Sequence, residues 1–245
     1  MTGTALSTAS RPWGVLHGLG GGPGDPELLT LKAVRLLGQV EAVFAASSTK
    51  NDFSHALEIA RPHLKPDTPV TRLPFPMTAD SAALKAAWEA NAHAVAEVLA
   101  TGKNAAFLTL GDPLLFSTFG YLARTLAALY PQARLAATPG VTSFQQAAAT
   151  AVMPLAEAGE PLLVLPGVAG GEALKAALNA APNVAVLKAY KNYKELKQVV
   201  AEGGCAETSA AFTRLGLEGE HWSRDLDSLG DSPHYLTLML VKRKG

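Results

Sequence analysis

Short apolar runs alternate along the chain with longer stretches in which apolar residues recur every three or four positions. The runs are bounded by Gly, Pro or polar residues, which is typical of β-strands. The longer stretches are typical of amphipathic helices. In the clearest of them, Leu84, Trp88, Val95 and Leu99 share one face, and Gly102 stands where a C-terminal cap belongs. The runs predict strands at 13–19, 41–46, 68–73, 104–110, 134–138, 161–165, 184–190, 207–213 and 235–242.

This alternation predicts an α/β fold with substantially parallel sheets. The last run alternates Leu with other residues and favours an antiparallel strand. Pro139 and Gly140 interrupt the pattern between a strand and a helix, so we expect two α/β domains, 13–138 and 139–245. Residues 1–12 are rich in Ser, Thr and Ala, and are expected to form a flexible N-terminal tail.

Composition excludes several functional classes. The 245 residues are 48% hydrophobic and 17% charged, which is typical of a well-packed globular protein rather than a disordered one. The formal net charge is zero, so no overall electrostatic attraction to nucleic acid or to an anionic membrane is expected. Cys205 is the only cysteine, which excludes an intramolecular disulfide and is compatible with the cytoplasm. No apolar run is long enough to span a bilayer.

The first chemically informative segment is the glycine-rich stretch that follows the first predicted strand. Gly20, Gly21, Gly22 and Gly24 surround Pro23, and such a density of glycine favours a loop that a ligand or another backbone approaches closely. A dinucleotide fingerprint is disfavoured, because Pro23 stands where its third glycine would be. A nucleoside triphosphate loop is excluded because no Lys-Ser or Lys-Thr follows. Asp25 as N-cap and Pro26 as first helical residue predict a helix immediately after the loop.

Two further strand-to-helix passages carry similar signals. In the first, Gly111-Asp112-Pro113 follows an apolar strand, and Asp112 as N-cap with Pro113 in the first turn predicts a helix. Backbone N–H groups there could bind a carboxylate, and the Asp112 carboxylate could receive an ammonium group. In the second, Pro139-Gly140-Val141-Thr142-Ser143 supplies hydroxyls and backbone amides. Taken singly, each passage could also be an ordinary cap.

Together, the three passages resemble the motifs of the tetrapyrrole methylase family, whose members transfer a methyl group from S-adenosylmethionine to uroporphyrinogen or precorrins. The matching segments are 20–33, 111–113 and 139–143. Within the family, the segments 75–78, 117–122, 154–157 and 216–220 most resemble the methylases that act on the C20 meso carbon of precorrin-2 or of cobalt-factor II. The resemblance implies two α/β domains with the active site in the trough between them, a cytoplasmic homodimer, and a place in cobalamin biosynthesis. Another precorrin or uroporphyrinogen methylase is the alternative within the family.

The resemblance also implies which residues hold the methyl donor. Pro23 would border its pocket, and Thr142 and Ser143 would contact it from the domain junction. The methionine portion would be held by Leu110, Gly111 and Asp112, with Leu115 packing nearby. The adenine would contact residues of the C-terminal domain: Leu187 or Lys188, Leu215 or Gly216, and Thr237.

Methyl transfer places limited demands on the protein. A sulfonium methyl group is already electrophilic, so the protein chiefly places it in line with the nucleophile at roughly 3 Å. The meso carbon of a reduced tetrapyrrole behaves as an enamine carbon, and one proton leaves after the transfer. The candidate proton acceptors are Asp112, Tyr121 and Tyr190, each of which could instead have a structural role.

The substrate's carboxylates predict basic partners near strand ends or ligand-facing loops. The candidates are Lys50, Arg72, Arg124, Lys191 and Arg214, although an isolated Lys or Arg is more often a solvated surface residue. The six histidines lack paired spacing, so no metal site built by the protein is expected.

Two rival functions remain at this point. An NAD-linked oxidoreductase would need an acidic residue at the end of the second strand, where the sequence reads Ala45-Ala46-Ser47-Ser48. A tetrapyrrole carrier that is not an enzyme would need the substrate surface but no donor site.

Overall fold

The computed structural model describes residues 12–47, 54–76, 78 and 80–243, and its internal contacts separate two compact units. Unit 1 consists of the described residues up to Gly22 together with Pro26–Gly140. Unit 2 consists of Pro23–Asp25 and the described residues from Val141 onward. Each unit contains one five-stranded sheet with helices, which confirms the predicted α/β class. Within the described residues, no helix combines the length and apolar character needed to cross a bilayer.

Unit 1 is built on a wholly parallel sheet with the strand order β3-β2-β4-β1-β5. Its strands are β1 (Val15–Gly20), β2 (Ala42–Ser47), β3 (Val70–Pro74), β4 (Ala105–Thr109) and β5 (Arg134–Thr138). Its helices are α1 (Leu31–Leu37), α2 (His55–Ala60), α3 (Ser81–Ala100) and α4 (Phe119–Leu129). The five strands predicted for this part of the sequence are therefore confirmed.

Both faces of this sheet are covered, as a parallel sheet requires. On one face, α3 and α4 pack over Phe44, Phe107 and Leu16, and the buried Phe119 of α4 belongs to the same cluster. On the other face, Leu37 of α1 and residues of α2 pack over the central strands. The predicted apolar face of α3 is confirmed at Val95 and Leu99, which are buried, whereas Trp88 is only partly buried at the margin.

Unit 2 has a mixed sheet with the strand order β6-β7-β10-β8-β9. Its strands are β6 (Leu162–Pro166), β7 (Asn183–Leu187), β8 (Ala210–Thr213), β9 (His221–Ser223) and β10 (Thr237–Lys242), and its helices are α5 (Ser143–Thr150), α6 (Gly170–Ala180) and α7 (Tyr193–Glu202). The last strand lies antiparallel to both β7 and β8, as its alternating pattern predicts. The edge strand β9 was not predicted, because three largely exposed residues carry too little periodicity to show one.

Two side chains of α7, the buried Tyr193 and the largely buried Lys197, join this helix to the segment that leads into β10. The Tyr193 hydroxyl donates a hydrogen bond to the Leu226 carbonyl at 2.8 Å, and burial raises the pKa of this phenol. Lys197 Nζ contacts Asp227 Oδ1 at 2.6 Å and Asp231 Oδ1 at 3.0 Å. These contacts hold a long connection on the core of unit 2.

The first helix starts later than the sequence predicts. A 3-10 turn occupies Pro26–Leu28, and α1 begins only at Leu31. Its N-cap is Thr30, whose Oγ1 accepts a hydrogen bond from the Ala33 N–H at 3.2 Å. The prediction that Asp25 caps an α-helix beginning at Pro26 is therefore wrong, because the hydroxyl of Thr30, five residues after Asp25, satisfies the orphan N–H of the helix.

Candidate functional site

The strand order of unit 1 creates a topological switch point between β1 and β4. The chain leaves β1 toward β2, on the far side of β4, whereas it leaves β4 toward β5, on the far side of β1. Ligands of open parallel sheets bind in the crevice beyond the carboxyl ends of the strands at such a point. Gly20 pairs with Thr109 at this edge, so the glycine-rich loop and the Gly-Asp-Pro segment begin side by side.

Glycines at this edge allow three backbone segments to meet. A Cβ on Gly20 would stand 2.5 Å from Gly140 N and 2.7 Å from Gly111 O. A Cβ on Gly140 would stand 2.8 Å from Gly20 Cα and still closer to Gly111 O. The Gly111 N–H also donates to Gly22 O at 2.6 Å. The glycines are therefore needed for close contact between backbone segments, and not only for the approach of a ligand.

Gly111 differs from its neighbours because open space adjoins it. Its φ is +73°, a conformation that residues with a side chain rarely adopt, yet no atom lies within 4 Å of the position that a Cβ would take. Space beside a left-handed backbone at a switch point is a suitable place for a ligand.

Asp112 is a bridge between two loops rather than a helix cap. Its Oδ1 accepts a hydrogen bond from Leu114 N–H at 2.8 Å, and its Oδ2 accepts one from Gly140 N–H at 3.2 Å. The helix that follows, α4, begins at Phe119, with Thr118 at its N-cap. The predictions that Asp112 caps a helix and that Pro113 opens it are wrong, and no helix N–H groups are available there for a carboxylate.

The two leucines assigned to the donor pocket lie on either side of this bridge. Leu110 is partly buried against the cluster of Leu29, Ala33 and Ile59. Leu115 is half-buried in the irregular stretch before α4. Phe116 in that stretch has a left-handed backbone, with φ +49°, and remains 47% exposed. A bulky exposed residue in a strained conformation is more frequent at functional sites than elsewhere.

In unit 2, the structure brings the residues assigned to adenine to one edge of the sheet. β7 ends at Leu187, β8 ends at Thr213, and the antiparallel β10 begins at Thr237. The buried Thr237 hydroxyl donates to Thr213 Oγ1 at 3.1 Å. Lys188 and Leu215 continue from the first two strand ends, so these predicted positions form a group within unit 2.

Two residues of this edge have left-handed backbones without being glycine. Lys188 has φ +56° and Arg214 has φ +54°, each at a cost of roughly 1–2 kcal/mol. Arg214 Nε donates to Glu218 O at 2.6 Å, and Gly216 N–H donates to Glu220 Oε2 at 2.8 Å. The turn after β8 is thus held in one conformation by its own side chains.

Pro23 and Gly24 are buried within unit 2. A Cβ on Gly24 would stand 3.0 Å from Gly216 C and closer still to Leu215 O. The glycine at this position therefore lets the proline-containing segment lie directly on the turn after β8. Leu215 and Gly216, both predicted to hold the methyl donor, therefore lie against the residue that follows Pro23, a third predicted position.

α5 begins at Ser143, and Thr142 is its N-cap, so the Thr142 hydroxyl is already used in capping the helix. The Gln145 N–H donates to Thr142 Oγ1 at 3.4 Å, while Gln145 Oε1 accepts from Thr142 N–H at 2.9 Å, which completes a capping box. One turn along the same helix, Gln146 Oε1 is buried without a hydrogen-bond partner among the described residues. The sequence contains no signal for Gln146 as a site residue, since glutamine inside a helix is ordinary.

The two tyrosines predicted as proton acceptors each contact another ring and a cation. Tyr121 of α4 stacks on Trp88 of α3 with ring centroids 4.9 Å apart, and Arg124 lies 5.0 Å from the Tyr121 centroid. Tyr190 meets Tyr235 edge-to-face at 5.1 Å, and Lys191 Nζ lies 6.0 Å from the Tyr190 centroid.

Tyr235, which belongs to this second pair, and the neighbouring His234 were both missed by sequence reasoning. Burial and the neighbouring Tyr190 raise the pKa of Tyr235. Partial burial and the charge of Arg214 lower the pKa of His234, whose Nδ1 accepts a hydrogen bond from Leu236 N–H at 3.1 Å.

The predicted basic residues have different surroundings. Arg72 is exposed on β3, where its charge acts on Glu58, and Arg214 is bound to its own turn. Arg124 and Lys191 each lie over a tyrosine ring. Lys50 lies outside the described residues. No group of three or more His, Cys, Asp or Glu side chains in the described part of the chain is arranged to hold a metal ion.

Comparison with known proteins adds independent information. The sequence profile of the tetrapyrrole (corrin/porphyrin) methylases matches residues 15–228. The chain is 34% identical over 233 residues to the cobalt-precorrin-2 C(20)-methyltransferase of Salmonella typhimurium, covering 94% of this chain and 97% of that protein. It is 30% identical over 236 residues to the precorrin-2 C(20)-methyltransferase of a Sinorhizobium species, covering 93% and 95%.

A solved structure supports the fold. The uroporphyrin-III C-methyltransferase of Thermus thermophilus, complexed with S-adenosylhomocysteine, matches with a TM-score of 0.61 at 22% identity, covering 94% of this chain and 97% of that one.

Proposed function

Since the chain belongs to the tetrapyrrole (corrin/porphyrin) methylase family, we propose that it transfers the methyl group of S-adenosylmethionine to C20 of precorrin-2. The observation that carries the proposal is the identity of 30–34% over more than nine-tenths of the chain to proteins named for methylation at C20. The motifs that match the family surround the switch point and the open space at Gly111. The reaction places the protein in cobalamin biosynthesis, and we propose that it acts as a cytoplasmic homodimer.

The residues present fit the proposed donor. Gly111 offers a left-handed backbone beside open space, and Gln146 offers a buried acceptor that lacks a partner in the described part of the chain. Under the proposal, a first group of residues in unit 1 holds the donor: Leu110, Gly111, Asp112 and Leu115. A second group in unit 2 does the same: Pro23, Thr142, Ser143, Leu187, Lys188, Leu215, Gly216 and Thr237. S-adenosylmethionine supplies an electrophilic methyl group, so the residues act by orientation rather than by activation.

Asp112 has a defined part in this mechanism. Because both of its oxygens accept backbone N–H groups, it fixes the Gly111 segment against Gly140 and so positions the donor. The proton that leaves C20 after methyl transfer then goes to water, either directly or through Tyr190, whose phenol oxygen accepts it as its own O–H proton passes to water.

Cobalt-containing precorrin-2 is the second candidate substrate. The higher identity, 34% against 30%, is to the protein named for the cobalt form. The two substrates differ at the ring centre, so they demand the same chemistry at C20.

The experiment that tests the function uses the purified chain and S-adenosylmethionine with a ¹³C-labelled methyl group. Precorrin-2 and its cobalt complex are offered separately, and NMR assigns the labelled carbon in each product. Label at C20 supports the proposal, and the better substrate identifies the metal state. A folded protein that labels neither substrate, or labels another carbon, would overturn it.

Calorimetry with the same protein separates the rival functions. Binding of S-adenosylhomocysteine favours the methylase, and binding of NADH instead favours an oxidoreductase. A tetrapyrrole carrier would bind neither.

Gln146→Met tests the donor site of unit 2. We expect S-adenosylhomocysteine to bind about tenfold more weakly, because a buried acceptor for the ligand is lost. The thermal midpoint of the free protein should stay equal or rise, since an unpaired buried oxygen destabilises the folded state. Gln198→Met is the control, because Gln198 pairs with Glu202 on the exposed side of α7. Unchanged affinity for S-adenosylhomocysteine would remove Gln146 from the site.

A further inference from the structure

We infer that Arg124 is a pre-organised receptor for a carboxylate of the tetrapyrrole, and that Tyr121 and Trp88 are the positioning residues that orient it. The inference rests on the proposed function for the identity of the substrate. It distinguishes Arg124 from Arg72 and Arg214, two other predicted basic residues, and it gives Tyr121 a role other than proton transfer.

The three side chains are in contact in sequence: Trp88 of α3 stacks on Tyr121 of α4, and Arg124 lies over the Tyr121 ring. Trp88 and Tyr121 are almost parallel, with an interplanar angle of 15° and centroids 4.9 Å apart. The Arg124 Cζ lies 5.0 Å from the Tyr121 centroid. A guanidinium group held on a ring keeps its N–H fork available for bidentate contact with a carboxylate. The order of the side chain is therefore established before a ligand arrives.

The Arg124 guanidinium lies at the start of α4. Its Nη1 lies 3.7 Å from the place where a Cβ of Gly120 would stand, so the guanidinium is folded back toward the first turn of α4. Along the chain, that turn comes a few residues after the Gly111–Asp112 segment and after the exposed Leu114 and Phe116. A cation and exposed apolar side chains that flank the same stretch of chain suit a ligand that has an apolar ring and carboxylates at its rim.

The Arg124 guanidinium forms no ion pair with the part of the chain that the structure describes. Among the described residues, no carboxylate lies within ion-pairing distance of Arg124. In contrast, Arg214 Nε donates a hydrogen bond to Glu218 O, and the charge of Arg72 contributes to lowering the pKa of Glu58. A cation that lies on a neutral ring and has no carboxylate partner among the described residues is complementary to an external anion.

The test measures KM for the tetrapyrrole, kcat, and the affinity for S-adenosylhomocysteine in a set of variants. Arg124→Met should raise KM about tenfold and leave the affinity for S-adenosylhomocysteine within about twofold. Arg124→Lys should recover only part of the loss, because an ammonium lacks the planar fork. Arg35→Met, which removes an exposed cation from α1, is the matched control and should behave as the wild type.

Variants of Tyr121 separate positioning from proton transfer. Tyr121→Phe keeps the ring that stacks on Trp88, so its KM should be lower than that of Tyr121→Leu. Tyr121→Leu should raise KM. The double variant Tyr121→Leu/Arg124→Met should raise KM little beyond Arg124→Met alone, since both substitutions remove the same contact between Arg124 and the Tyr121 ring. A fall of kcat in Tyr121→Phe at unchanged KM would overturn the inference in favour of a catalytic phenol.

The Arg124→Met result decides the inference even if a Tyr121 variant fails to fold. A KM equal to that of Arg35→Met would overturn it, although the proposed function would stand if the wild type still transfers methyl to C20. Failure of the wild type to transfer methyl would instead overturn the proposed function.

Discussion

Gly140→Ala is expected to lower the free energy of unfolding by about 3 kcal/mol, because three backbone segments meet at this residue. The new Cβ would stand 2.8 Å from Gly20 Cα and closer to Gly111 O, and neither backbone atom can rotate away as a side chain could. For a chain of this size, such a loss corresponds to a fall of roughly 6–12 °C in the thermal midpoint, which calorimetry would measure.

Gly38→Ala is the matched control for this substitution. Gly38 has φ −73° at the end of α1, and the nearest atom to its added Cβ would be 3.6 Å away, so the midpoint should change little. Equal midpoints for the two variants would show that the three segments are not packed as described.

Gly111→Ala should behave differently from Gly140→Ala, although the two residues are in contact. Its φ of +73° costs an alanine roughly 1–2 kcal/mol, but its Cβ would meet no protein atom within 4 Å. The folded protein should therefore persist, whereas the methyl group would occupy space that the proposal assigns to the donor. We expect S-adenosylhomocysteine to bind at least about tenfold more weakly to this variant.

Asp112→Asn is expected to lower kcat/KM for methyl transfer by about a hundredfold. The carboxylate accepts Leu114 N–H at 2.8 Å and Gly140 N–H at 3.2 Å, and an amide can satisfy only one of these donors. The other N–H would face the amide NH₂ group, at a cost of about 1–3 kcal/mol. The segment that carries Gly111 would then shift, and with it the position of the donor.

Kinetics with labelled S-adenosylmethionine and calorimetry with S-adenosylhomocysteine measure both consequences. Asp67→Asn is the control, since Asp67 lies in an exposed turn with φ +66°, a conformation that asparagine tolerates well. Donor affinity and turnover that both match the control would exclude Asp112 from positioning and from catalysis alike.

Sequence reasoning located the strands and the motif segments, but it misjudged where two helices begin. At Asp25 and at Asp112, the local pattern of acid followed by proline predicts a cap, and at neither place does an α-helix follow directly. The reason is that local patterns identify residues able to cap, whereas the partner that a carboxylate binds depends on the fold. For Asp112, one of those partners is Gly140, which lies 28 residues away.

The candidate site, like the fold, was predictable only in part from the sequence. The passages around Gly20, Gly111 and Thr142 were recognisable because they join apolar strands to helices with unusual glycine content. Gln146 and Tyr235 were not, because their importance comes from a missing hydrogen-bond partner and from a neighbouring ring, which no linear pattern records.

The sequence by itself determined the α/β class, the positions of the predicted strands and the antiparallel final strand, because apolar periodicity reflects which faces of an element must leave water. Only the tertiary structure decided which glycines are needed for backbone contact and which one adjoins open space. It also decided that Arg124 lies over the Tyr121 ring, which itself stacks on Trp88 of another helix. These properties depend on distances between residues far apart in the chain, and such distances exist only once the strands have paired and the helices have packed on them.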